Sequence, residues 1–287
     1  MAFARSVSEK MGSLNFLFFN LLCSSALLMV LQLLKDKKEV FRKIKALPFS
    51  YFYKAGTFLV ITVVLFYLAV GEAATRESVI VVGIINYLWP GLAFLFAVPI
   101  LKEPAHKGLL ILGVMTAFAG TSVAIMQGYG LSFKDIAAAF SGNILPYLYV
   151  FIAAVAWAIY SNITRRLHVK GDGAALPLLF FVCALIALTI QLIKGEIPDL
   201  TISGSDWFEF AAIVIFPTSL AYLFWDNGMK RGNKNLLMAV SYAIPLASTL
   251  ISGFYLQVPI GLGFATAALL VVIGAVLCRF ALHTSKS

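Results

Sequence analysis

Apolar stretches of about 20 residues recur along this chain, parted by short polar loops. Nine can be read, at 13–34, 52–71, 78–101, 108–127, 146–166, 174–193, 207–228, 236–254 and 261–282. Each is long enough to cross about 30 Å of hydrocarbon. Lipid offers no partner to an open backbone group, so each is expected to be a helix. The two longest connections differ in character. Residues 35–51 are strongly basic, whereas 128–145 are nearly neutral and hold Phe133 to Phe140, the pattern of a short amphipathic helix on a membrane surface.

The spans also repeat. Asn86-Tyr87-Leu88-Trp89-Pro90 and Ser241-Tyr242-Ala243-Ile244-Pro245 share a tyrosine three residues before a proline inside an apolar run, 155 residues apart. At the same offset Leu65-Phe66-Tyr67-Leu68 meets Leu220-Ala221-Tyr222-Leu223, and Gly108 meets Gly263. Together with matching span boundaries, these point to a duplication. The two copies lie an odd number of spans apart, so they run through the membrane in opposite directions. Inverted repeats with broken helices form a transporter architecture whose site lies near the midplane between the halves. The expected fold is therefore an all-α polytopic membrane protein of two inverted repeats. Residues 1–127 form the first repeat, 128–145 an extracytoplasmic connector and 146–287 the second repeat. Shifted by the offset, the span at 146–166 falls at −9 to 11, with Ser161 opposite Ser6. The expectation is a five-plus-five arrangement in which this chain lacks most of the first helix.

Charge sets the orientation. Seventeen Lys and Arg lie on the side of 35–54, 102–107, 165–173, 229–235 and the C-terminal tail, and five on the other. The basic side is the cytoplasmic one, which places the C-terminus inside. Nine spans then leave the N-terminus outside, whereas a tenth would bring it in. The net charge of +9 is accounted for by these loops, so no nucleic-acid partner is expected. With 61% hydrophobic and 12% charged residues and a mean hydropathy of +0.93, a soluble domain is excluded. Cys23, Cys183 and Cys278 sit inside apolar spans, and His106, His168 and His283 in loops or the tail, without metal-ligand spacing. No cofactor or metal is expected. The spans carry no His-Glu-x-x-His, acidic pair or Ser/His couple, so an enzyme is not expected either.

Val82 to Pro90, followed by Phe94-Leu95-Phe96-Ala97, resembles the fourth helix of the YddG-type aromatic amino-acid exporters of the drug/metabolite transporter (EamA) superfamily. Ala239-Val240-Ser241-Tyr242 with Pro245 resembles their ninth helix, Ala156-Trp157-Ala158-Ile159-Tyr160 their sixth, and Arg5 to Glu9 the end of their first. Trp225-Asp226-Asn227 departs from the Trp-Asn pairing of the family's eighth helix. The resemblance implies a monomeric basket of ten helices in the bacterial inner membrane. It implies a central cavity open to the cytoplasm, through which aromatic and other amino acids leave the cell.

Candidate site residues follow from the breaks. Pro90 and Pro245 cannot donate to the preceding turn and free the carbonyls of Asn86 and Ser241. Freed carbonyls suit an ammonium group and the Asn86 amide a carboxylate; a packed kink patched by neighbours is the other reading. Trp89 and Trp157 lie near the centres of their spans, where an indole lines a cavity or simply packs between helices. Tyr87, Tyr160, Tyr222 and Tyr242 share those two readings. Trp225 is placed either at the inner end of the path or in the interfacial belt. Glu72, Glu209 and Asp226 fall near span ends, none at the midplane, which favours uncoupled, gradient-driven transport. Gly113, Ala117 and Gly120 form a small-residue face suited to helix packing. The function expected is amino-acid export. The alternative is export of a drug or another metabolite by the same fold.

Overall fold

The computed structural model describes residues 2–37, 39–140, 142–167, 173–200, 202–204, 206–247 and 262–282. The described residues are helical, without a strand, and run in the order α1 (Ala2–Met11), α2 (Ser13–Asp36), α3 (Glu39–Lys45), α4 (Phe49–Glu72), α5 (Arg76–Asn86), α6 (Trp89–Leu101) and α7 (Lys107–Tyr129). They continue with α8 (Phe133–Ala139), α9 (Leu145–Arg166), α10 (Leu176–Ile193), α11 (Asp206–Arg231), α12 (Lys234–Ser241) and α13 (Leu262–Ala281). Eight helices among the described residues are long and apolar enough to span a membrane, with α5 and α6 counted as one span. Of the expected span at 236–254, residues 248–254 lie outside the described residues. Large apolar side chains such as Ile111, Met115, Val272 and Phe280 are exposed on the outer faces of α7 and α13, as lipid contact requires. The chain is an integral, multi-pass membrane protein.

Local chemistry explains where the helices stop and bend. Thr75 caps α5 by accepting the Ser78 N–H at 3.1 Å. Asn233 caps α12 in the same way from Leu236 N–H at 3.1 Å. The surface helix α8 is closed by a capping box between Ser132 and Asp135. The hydrogen bonds from Ser132 hold the Asp135 carboxyl below the usual carboxylate range. The long span 78–101 is broken at Tyr87 and Leu88: the Tyr87 N–H turns back onto Gly83 and Ile84, and the helix restarts at Trp89 ahead of Pro90. The second copy breaks at Tyr242 and is helical again over 243–247. Two features have no counterpart in the sequence reading. Each of α4 and α11 contains a π-helical turn, Phe52–Gly56 and Val214–Leu220, the second built around Pro217. A proline inside a helix withholds one N–H, and a wider turn absorbs the loss.

The packing follows the offset of 155. Helices related by it, α2 with α10 and α7 with α13, lie against one another. In the same way α9 packs on α4 while α1, at the position equivalent to α9, packs on α11. An ion pair at 2.6 Å joins Lys10 of α1 to Asp206 of α11. Contact between α7 and α13 is close because small residues line both. A Cβ on Gly274 would meet the Ala117 backbone nitrogen at 2.3 Å, and one on Gly120 the Ala267 carbonyl at 2.7 Å. Without a hydrophobic force between helices in lipid, such backbone approach supplies the packing.

Candidate substrate cavity

A cavity of 620 Å³ lies between α4, the α5–α6 break, α9 and α11. Its floor is aromatic. Trp157 of α9 is the hub, with ring centroids 6.2 Å from Trp89, 5.7 Å from Trp225, 5.1 Å from Tyr222 and 5.4 Å from Tyr160. Trp89 and Trp225 close the group edge to face at 4.9 Å. Edge-on contacts of this kind set the positive ring edge against the negative face of its neighbour. The Trp225 indole N–H donates to Ser161 Oγ at 3.0 Å, which fixes the ring's rotation.

The wall is built twice. Thr62, Phe66, Tyr67, Val70 and Trp89 line the cavity, and so do Pro217, Ala221, Tyr222, Trp225 and Ile244, each 155 residues further on. The pseudo-twofold axis between the repeats therefore passes through the cavity. Asn86 and Tyr87 also line it, but their equivalents, Ser241 and Tyr242, do not. No hydrogen bond to the Asn86 side chain exists among the described residues, so the amide is free to meet a bound molecule. The hydroxyls of Thr62 and Tyr67 in the wall are committed. Thr62 donates to the carbonyls of Phe58 at 2.8 Å and Ala153 at 3.2 Å. Tyr67 and Thr218 share a bond of 2.7 Å, and Asn20 completes a buried triad with Thr218.

Val70 stands two residues from the end of α4 that faces away from the basic loops, about 3 Å along the axis. Toward the basic loops, the aromatic floor rests on a buried layer of Ala93, Phe94, Tyr160, Asn162, Asp226 and Met229. In that layer Asp226 pairs with Lys230 at 2.7 Å, with 1% and 7% of the side chains exposed, and the Tyr160 hydroxyl donates to Asp226 at 3.1 Å. Asn162 donates to the Ala93 carbonyl at 2.9 Å, joining the second repeat to the first. Glu103 and Lys234 form a further ion pair across the same boundary. The resemblance implied a cavity open to the cytoplasm. In this structure three indoles and the buried Asp226–Lys230 pair lie between the cavity and the basic loops.

The sequence pattern of the EamA-like transporter family matches residues 1–126 and again residues 144–280. The chain belongs to the EamA-like transporter family. Relatives of this EamA-like chain include the aromatic amino acid exporter YddG of Escherichia coli (strain K12), 27% identical over 84% of this chain and 80% of that protein. The aromatic amino acid exporter YddG of Ancylobacter novellus is 34% identical over 67% of this chain and 64% of its own length. A solved crystal structure at 24% identity superimposes with a TM-score of 0.75, covering 96% of this chain and 91% of its own, and shows the same fold.

Of the residues singled out from the sequence of this EamA-like protein, Asn86, Tyr87, Trp89, Trp157, Tyr222 and Trp225 come together around the cavity. The others stand behind the wall. Tyr160 is buried beneath the floor with its hydroxyl on Asp226. Ser241 donates to the Leu237 carbonyl at 2.7 Å and is buried in its own helix. Tyr242 packs its hydroxyl over Gly91, where a Cβ would meet it at 2.8 Å. Pro90 and Pro245 are buried and shape the breaks without lining the space. The sequence reading missed Thr62, Phe66, Phe216 and Pro217. Pro217 was the available signal, a further proline inside an apolar span.

Proposed function

We propose that this protein exports amino acids, aromatic ones among them, through the cavity between its inverted repeats. The observation that carries the reading is the pairing of an aromatic floor, Trp89, Trp157, Trp225 and Tyr222, with a single free amide, Asn86, at a helix break beside it. An amino acid needs polar contacts at its backbone and, if aromatic, a face for its ring. The break at Asn86 and Tyr87 supplies backbone groups at membrane depth where it borders the cavity. The names of the relatives support the substrate class. In this reading the basic loops face the cytoplasm, the C-terminus is cytoplasmic, the membrane is the bacterial inner membrane, the protein acts as a monomer, and no cofactor or enzymatic step takes part. Residues 1–127 and 146–287 act as the two repeats, joined by an outer connector at 128–145.

The test is efflux from liposomes loaded with radiolabelled amino acids. Trp157→Leu is expected to slow phenylalanine and tryptophan about fivefold more than threonine, the value of a lost ring contact of about 1 kcal/mol. Asn86→Leu is expected to slow all three, since they share one backbone. Folded variants that move every substrate at the parental rate would overturn the site. Parental protein that moves none of them would point to a non-amino-acid substrate for the same fold. Orientation is tested separately, with a single cysteine at Arg166 or at Glu196 in place of the native three. A membrane-impermeant maleimide is expected to reach the first only from the cytoplasm and the second only from outside.

A further inference from the structure

The largest cluster of basic residues in the chain is in 35–54, where seven Lys and Arg stand against Asp36 and Glu39. Here α3 lays Val40 and Leu47, both buried, against the protein, with Ile44 half-buried between them. That spacing is one face of a helix, and Phe41, Arg42 and Lys45 occupy the other, exposed face. At the start of α4 the rings of Phe49 and Tyr53 lie 5.7 Å apart, and the Lys54 ammonium sits 5.6 Å from the Tyr53 ring centre. Phe41, Phe49 and Tyr53 are 52%, 80% and 52% exposed.

Rings and cations therefore share one surface. Open water leaves such an apolar patch unburied, and hydrocarbon strands the charges. The depth of the phospholipid headgroups suits both. The chain puts α3 at that depth, since α2 ends at Asp36 and α4 begins at Phe49. Elsewhere on the same side basic groups turn inward: Lys234 pairs with Glu103, and Arg165 donates to the carbonyls of Met229 and Lys230 at 3.2 and 2.9 Å. Among the described residues Lys45 and Lys54 meet no carboxylate, and Arg42 meets Glu39 on open surface. We propose that α3 and the start of α4 form a docking surface for anionic phospholipid, with Arg42, Lys45 and Lys54 on the phosphates and Phe41, Phe49 and Tyr53 among the upper acyl chains. A zwitterionic headgroup brings an ammonium that this cluster repels, whereas phosphatidylglycerol brings none. The surface is joined to the layer beneath the cavity floor. Tyr51 is fully buried, and the Lys230 ammonium stands 5.3 Å from its ring centre. Lipid held at the start of α4 therefore braces the layer that contains Asp226. The inference does not rest on transport of any substrate.

The experiment replaces Cys23, Cys183 and Cys278 with alanine, introduces Ala46→Cys and labels it with bimane. The protein is placed in phosphatidylcholine bilayers with increasing fractions of brominated phosphatidylglycerol or brominated phosphatidylcholine. Each cation near an anionic surface is worth about fivefold in affinity. Half-maximal quenching is expected at an about tenfold smaller fraction of phosphatidylglycerol at low salt, and the preference should shrink at high salt. Arg42→Gln with Lys45→Gln should cut it to about twofold, while Lys194→Gln on the other side leaves it unchanged. Equal quenching by the two lipids, or a preference that survives the double change, overturns the surface. Loss of the preference to inorganic phosphate at matched ionic strength also overturns it, in favour of a small-anion site. A reading without the label comes from melting in detergent. Added phosphatidylglycerol should raise the melting temperature of the parental protein more than that of the double variant, and equal shifts would overturn the docking. Preferential quenching in protein that moves no amino acid leaves this surface standing while the export reading falls.

Discussion

Gly274→Val should leave almost no folded protein. The atom that glycine lacks would lie 2.3 Å from the Ala117 nitrogen and 2.6 Å from its Cα. Both are backbone, so no rotamer change relieves the clash, and α7 and α13 must separate along their contact. A Cβ on Gly113 would likewise lie 2.8 Å from the Cys278 nitrogen, and one on Gly120 2.7 Å from the Ala267 carbonyl. Displacing one point therefore undoes the others. Overpacking in a core costs about 1–3 kcal/mol, and a clash against backbone belongs at or beyond the top of that range. Fluorescence-detected size-exclusion chromatography should show loss of the symmetric peak. Gly108→Val, where nothing lies within 4 Å, should keep it. A Gly274→Val protein with parental elution and melting temperature would mean that the seam is not needed.

Asp226→Ala should be the most damaging single change beneath the cavity floor. It strands the Lys230 ammonium, 7% exposed, and removes the acceptor of the Tyr160 hydroxyl. Breaking one partner out of a buried pair costs about 3–5 kcal/mol, because the remaining charge has neither water nor a counterion. Replacing both partners with apolar side chains of similar size removes that cost. Asp226→Leu with Lys230→Met should accordingly recover most of the melting temperature that Asp226→Ala loses. The ordering of the three proteins carries the test. If the single variant melts with the parent, the pair is solvated and its burial does not matter to stability.

Span positions, the duplication and the breaks were legible because lipid leaves the backbone few choices. Within the described residues a long apolar run is a helix, and Pro90, Pro217 and Pro245 stand where one yields. Facing was not legible. A helix that is apolar all round has no stripe to fix its rotation, so Tyr87 and Tyr242, alike in sequence, could not be told apart. One lines the cavity and the other packs over Gly91. The π turn at Val214–Leu220 adds to this, since it re-aims every side chain that follows it, including Tyr222 and Trp225. Asp226 and Lys230 stand four apart on one helix, a spacing that favours pairing. The sequence could suggest that pair but not its burial.

A cavity wall built from two identical halves would offer every contact twice, and a molecule lodged in it could sit in either of two equivalent ways. Here the halves have drifted apart at the decisive places. Asn86 lines the cavity while its counterpart Ser241 stands behind the wall, and Trp89 is replaced by Ile244, while Tyr67 and Tyr222 remain alike. Fusing the copies into one chain is what permits that drift, since a gene for a single half would change both sides together. The result is a chamber without a twofold, in which the two sides are chemically distinct. Only such a chamber can hold a molecule with a stereocentre in one pose.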